Sequence, residues 1–150
     1  MSSPTVSARF EERLWPGPLG WTAAVAFAVV LGVALVPVDL GLAFAVGLVA
    51  LVVVLAALVV WTPTVRVTAD ELHAGQAHIP LDLLDGPHTL AGDELRAQLG
   101  PSLDARAYLC LRGWVHTAVR VRVTDPHDPT PYWIVSTRDP DGLVAALTRG

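Results

Sequence analysis

The chain has 150 residues and a mass of 15.9 kDa, room for one ordinary domain or for a membrane anchor with a small domain, but not for two full-sized domains. Hydrophobic residues make up 53%, charged residues 16%, and the mean hydropathy is +0.51, a balance that argues against a disordered or purely soluble chain. The net charge is -4 and all ten basic residues are arginine, so the cationic excess that drives nucleic-acid binding is missing. The single cysteine, Cys110, excludes an intrachain disulfide or a multi-cysteine zinc site and fits a reducing compartment.

The apolar excess is concentrated near the N-terminus. From Gly20 to Trp61 the only ionisable side chain is Asp39, within Val36-Pro37-Val38-Asp39-Leu40-Gly41. This break predicts two helices, Gly20 to Val36 and Leu40 to Trp61, spanning about 25 Å and about 33 Å at the rise of a helix, close to bilayer thickness. The β-branched run Leu51-Val52-Val53-Val54-Leu55 would disfavour a helix in water, but in hydrocarbon the backbone has to satisfy itself internally. Gly41, Ala43, Ala45, Gly47 and Ala50 are small enough to let two helices approach closely, and composition alone accounts for them equally well. Trp15, Trp21 and Trp61 flank the apolar segments where an interfacial aromatic belt would sit, and Arg9, Arg13 and Arg66 lie outside the hairpin while its loop has no arginine. By the positive-inside rule both termini are then cytoplasmic. A soluble buried hairpin and a cleaved signal peptide compete with this reading. Against the signal peptide, Glu11 and Glu12 neutralise the two arginines before the first segment, and a second apolar segment follows at once.

The chain divides into an N-terminal juxtamembrane segment (1–19), a transmembrane hairpin (20–61) and a cytoplasmic β-rich domain (62–150). The last carries eight arginines against eleven acids. Thr64 to Thr68 alternates as a strand, Ala69-Asp70 turns the chain, Glu71 to Ala74 returns it, Gly75-Gln76 turns it again, and His78-Ile79-Pro80 continues the meander. Asp93 to Leu99, with acids first and Gly100-Pro101 behind, predicts one or two helical turns. Ala107 to Leu111 and Ala118 to Thr124 read as strands, the second with Val119, Val121 and Val123 on one face and Arg120 and Arg122 on the other. The prolines of Asp125-Pro126-His127-Asp128-Pro129-Thr130-Pro131 exclude this string from a ladder, so it turns the chain into the strand Tyr132 to Thr137. Asp139-Pro140-Asp141 caps a closing helix through Leu143 to Leu147. Antiparallel strands closed by a helix describe either a pleckstrin-homology-like partial barrel or a plain α+β sheet with one helix on its face.

The strings Phe10-Glu11-Glu12-Arg13-Leu14-Trp15, Ala105-Arg106-Ala107-Tyr108-Leu109, Leu111-Arg112-Gly113-Trp114-Val115 and Asp125 to Arg138 resemble an uncharacterised actinobacterial membrane family catalogued as domain of unknown function 3093. The resemblance covers most of the chain, and the last string is its most specific part. It implies an inner-membrane location in a Gram-positive bacterium and assigns no reaction, ligand or catalytic residue.

No Walker loop, G-x-G-x-x-G, H-E-x-x-H, G-x-S-x-G or paired-cysteine motif is present. His73, His78, His88, His116 and His127 lie in polar segments with Asp82, Asp85, Asp125 and Asp128. Their spacing matches no familiar metal site, and solvated histidines explain them better. Cys110 reads as a small buried thiol. The most suggestive cluster is Arg112, Arg120 and Arg122 with Trp114, Tyr132 and Trp133 nearby in strand order. Arginine forks grip phosphate or carboxylate while an aromatic ring packs on the ligand. The bland alternative pairs these arginines with Asp104, Asp125 or Asp128 on a wet strand face. The aspartate and proline loop is expected to be structural before it is a docking loop.

The expected function is non-enzymatic: a membrane-anchored module, without cofactor or metal, whose partners are the lipid bilayer and a membrane or cytoplasmic protein, a second copy included. The alternative is a sensor of an anionic lipid headgroup or metabolite through the arginine and aromatic face. A metal-dependent membrane enzyme ranks below both.

Overall fold

The computed structural model describes residues 8–149, so residues 1–7 of the N-terminal segment lie outside the described residues. It resolves into two compact units, a helical hairpin of Trp15–Thr62 and a β-rich unit built from the chain on both sides of it, up to Leu14 and from Pro63 onward.

In the hairpin, α1 runs Pro18–Leu35 and α2 runs Leu40–Val60. Helix α1 starts two residues before the position expected because Pro18 occupies its first turn, where a missing N–H costs nothing and the fixed φ is already helical. Asp39 is the N-cap of α2, its carboxylate accepting from the Leu42 N–H at 2.7 Å. The helices meet through small residues four apart: Ala24, Ala28 and Gly32 on α1, Ala43 and Gly47 on α2. A Cβ added to Gly32 would lie 3.2 Å from the Ala43 carbonyl oxygen and 3.5 Å from the Gly47 Cα. Of the five small residues named for this seam, Ala43 and Gly47 belong to that close approach. Gly41 lies beside the Asp39 cap, and Ala45 is exposed. Both helices are long and apolar enough to cross a membrane, and most of their large side chains point away from the hairpin itself.

The β-rich unit holds two four-stranded sheets, where a single antiparallel sheet was one expectation. The first is ordered β1 (Phe10–Arg13), β2 (Thr64–Val67), β3 (Glu71–Ala74) and β4 (Ala77–Pro80), antiparallel throughout. Gly75, with φ +66°, takes the first central position of the two-residue turn joining β3 to β4, a place where glycine carries no Cβ penalty. Strand β1 was not anticipated. Its two glutamates are poor strand formers, and its partner lies beyond the whole hairpin, with Arg13 opposite Thr64.

The second sheet is ordered β5 (Leu84–Ala91), β7 (Thr117–Val123), β8 (Tyr132–Ser136) and β6 (Tyr108–Cys110). Strand β5 escaped sequence reading because Asp85-Gly86-Pro87 has the look of a turn; here it is an irregularity in the ladder, with Gly86 at φ +58°. β6 pairs with β8 in parallel, against the expected antiparallel arrangement. Helix α3 (Gly92–Leu99) lies between β5 and β6 in the chain, and α4 (Pro140–Thr148) closes it, capped by Asp139 accepting from the Gly142 N–H at 2.9 Å.

The main core lies between the sheets. Val65, Val67, Leu72 and Ile79 meet Val119, Val121, Trp133 and Val135, and Leu143 and Ala146 of α4 complete it. The opposite face of the second sheet is covered as well: Leu90, Ala118, Tyr132 and Ile134 pack under Leu95 and Leu99 of α3 and under Ala107 and Leu111. Every residue of β8 is therefore buried.

Candidate functional site

Strand alternation sorts the candidate residues. With Val119, Val121 and Val123 facing the inter-sheet core, Arg120 and Arg122 fall on the opposite face of β7. Register then sets Arg122 between Asp85 and Tyr132, and Arg120 between His88 and Ile134. The Arg120 guanidinium carbon sits 4.2 Å from the centre of the Tyr132 ring, within the range of a cation–π contact. The Tyr132 hydroxyl is held in turn, accepting from the Asp104 N–H at 2.8 Å.

The neighbouring charges are paired. Arg122 meets Asp85 at 3.2 Å, His88 meets Glu94 of α3 at 2.8 Å, and Arg106 grips Asp104 through two nitrogens. The Arg106 hydrogen bonds hold the Asp104 carboxyl below its ordinary range and raise the guanidinium of Arg106. Arg120 differs. Among the described residues it has no acid at ion-pair distance, and its buried Nε has no hydrogen-bond partner. A buried donor of this kind is costly to leave unsatisfied.

The six residues singled out from the sequence do not form one face. Arg120, Arg122 and Tyr132 come together. Trp133, next to Tyr132 in β8, points the other way into the main core, its ring 4.4 Å from that of Tyr108. Arg112 lies beyond β6, its backbone N–H donating to Ser136 Oγ at 3.1 Å and its guanidinium to the Leu111 carbonyl. Ser136 and Tyr132 are opposite ends of β8, about 13 Å apart at the rise of a strand. Trp114 follows in the same loop and donates through its indole N–H to the Leu14 carbonyl at 3.2 Å. The acids around Arg120, Asp85 and Glu94, reach this face through β5 and α3; their pairing with Arg122 and His88 depends on the β5–β7 register, which no local pattern signals.

The remaining candidates are accounted for locally. Asp125 accepts from the His127 N–H and Asp128 from the Thr130 N–H, each at 2.8 Å, so the proline-rich loop is built on side-chain turns. The Thr130 hydrogen bonds hold the Asp128 carboxyl below its usual range. Burial pushes the Cys110 thiol up, outweighing the Arg112 charge. His73 and His78 are direct cross-strand partners with rings stacked 5.5 Å apart, and His73 reaches Glu71 at 3.1 Å. Among the described residues no group of three or more His, Cys, Asp or Glu side chains is placed to hold a metal ion.

A carboxylate missed by sequence reading ties the unit together. Glu12 of β1 accepts from the Thr137 hydroxyl and from the Arg138 N–H, joining the strand before the hairpin to the corner between β8 and α4. No curated protein and no solved structure matches the chain. A family model does, over residues 9–147, a span that takes in β1, both apolar helices and nearly all of α4; the chain belongs to the family described as Protein of unknown function (DUF3093).

Proposed function

We propose that this chain is a multi-pass integral protein of the plasma membrane, whose α1–α2 hairpin anchors the β-rich unit at the cytoplasmic face with both termini inside. There it serves as a non-enzymatic module that binds a protein partner or a second copy of itself. The observation that carries the reading is the disposition of apolar side chains: two helices of 18 and 21 residues present them outward, where water would penalise them and lipid would not. The antiparallel pairing of β1 with β2 supports one compartment for both flanks of the hairpin, since strands separated by a bilayer cannot share a ladder. It also weighs against a cleaved leader, because cleavage after α1 would remove β1 and the buried Leu14 with it.

A tether supports a binding role because it raises the local concentration of the module without a tight intrinsic site. Contacts of α4 with strands of both sheets support the pleckstrin-homology-like description, while the parallel β6–β8 pair is a departure from a simple meander. Alkaline washing of membranes is expected to leave the protein in the pellet; recovery in the aqueous phase without detergent would overturn the anchor. Crosslinking in native membranes is expected to join the β-rich unit to another polypeptide.

A second reading is favoured by one observation, the Arg120 guanidinium stacked on Tyr132 with its Nε unsatisfied. Arg120 is only partly buried, and the outer nitrogens of its guanidinium would receive a phosphate or carboxylate oxygen. Titration of the nanodisc-held protein with inorganic phosphate tests it: binding that disappears in Arg120→Gln but persists in Arg122→Gln supports the reading, and equal binding by both variants rejects it.

A further inference from the structure

The Trp114 loop offers a surface that the anchor and the arginine face leave unused. Within the β-rich unit, Trp114 lies in the segment between β6 and β7, and its indole N–H donates to the carbonyl of Leu14. Leu14 also donates through its own N–H to the Pro63 carbonyl at 3.1 Å. Leu14 and Pro63 are the points where the β-rich unit hands the chain over to the hairpin and receives it back. Trp114 thus marks the end of the domain nearest, along the chain, to the apolar helices. The other end of β7 leads into the Asp125 to Pro131 loop, about 20 Å away at the rise of a strand.

Trp114 remains 38% exposed although it is the largest side chain in its loop. Its polar atom is already satisfied inside the domain, so the exposed part of the side chain is apolar ring. Such a group gains by entering the headgroup layer, where the ring leaves water and no donor is stranded. The far end, by contrast, carries the acids Asp125 and Asp128, which the negative surface of a membrane would repel.

We propose that the segment Arg112 to Val115 is an interfacial foot: Trp114 inserts its ring into the headgroup region of the bilayer and adds a point of attachment for the β-rich unit beyond its two covalent connections. The inference rests on the membrane reading given above. It commits to lipid as the occupant, because the exposed ring is bonded to Leu14, the last residue of the β-rich unit before the chain enters the apolar helices.

The test uses the full chain in nanodiscs of mixed zwitterionic and anionic phospholipid, with Cys110→Ala as background. A spin label at Gly113→Cys reports on the loop without touching the indole, since a Cβ there meets no atom within 4 Å. Labels at Trp61→Cys and His127→Cys are the lipid and water references. The expected result is that the label at 113 is several-fold less accessible to an aqueous paramagnetic reagent than the label at 127. Trp114→Ala should abolish that protection and Trp114→Phe should keep most of it. Equal aqueous access at 113 and 127, with the label at 61 still protected, overturns the foot and leaves the anchor standing. Protection at 113 that survives Trp114→Ala overturns the role given to the indole. Full aqueous access at 61 as well removes the membrane reading and the foot with it.

Discussion

Val53 of α2 and Val121 of β7 are the same side chain in opposite settings, 59% exposed in the first and 1% in the second. The β-rich unit hides its valines because they alternate with polar residues, so a sheet has one face to turn inward and a second sheet to turn it toward. The hairpin has no such alternation. Its apolar residues run all the way round each helix, and one neighbouring helix covers only the strip of small residues at the seam. One region completes its own core; the other leaves that task to its surroundings.

This contrast is open to direct attack. The largest effect is expected from Leu72→Ala, which empties a fully buried site in the inter-sheet core and should cost about 2–5 kcal/mol in denaturant unfolding of the β-rich unit. Val53→Ala should leave that transition where it is. Next, Val53→Arg should leave the β-rich unit folded while lowering the membrane-retained fraction, since an arginine at the centre of a spanning helix costs about 2.5–3.5 kcal/mol on insertion scales. Unchanged retention would show that the exposed face of α2 does not meet lipid.

A smaller effect, about 1–3 kcal/mol, is expected from Glu12→Ala, which leaves the buried Thr137 hydroxyl without an acceptor for its proton and frees β1 from the β8–α4 corner. Hydrogen exchange should speed up in β1 before it does so in β3. The smallest effect concerns Asp104. Its folded pKa is depressed by Arg106, so its contribution is present at neutral pH, above the unfolded carboxylate value, and is lost as pH falls through the lower folded value. Asp104→Asn should therefore flatten the acid limb of the stability profile and change little at pH 7.

Much of the fold was legible from short-range patterns. The break at Asp39, the alternation of Val119, Val121 and Val123, and the Asp139-Pro140 cap each involve residues a few positions apart. Strand β1 was not legible, because its pairing depends on residues beyond the hairpin, and β5 was hidden by Gly86-Pro87. The candidate site was half legible. Arg120, Arg122 and Tyr132 do meet, but the two-residue period of a strand sends Tyr132 and Trp133 to opposite faces.

The amino-acid sequence by itself determined where the apolar mass lies, where α2 and α4 begin behind their aspartate caps, and which face of β7 is oily, since these follow from local backbone chemistry and side-chain period. Tertiary structure alone decided that the strand before the hairpin completes the sheet after it, that β6 runs parallel to β8, and that Arg120 meets no acid among the described residues while Arg122 does. Those outcomes depend on which distant segments reach each other first and fit best, a competition among whole surfaces that no window of neighbouring residues contains.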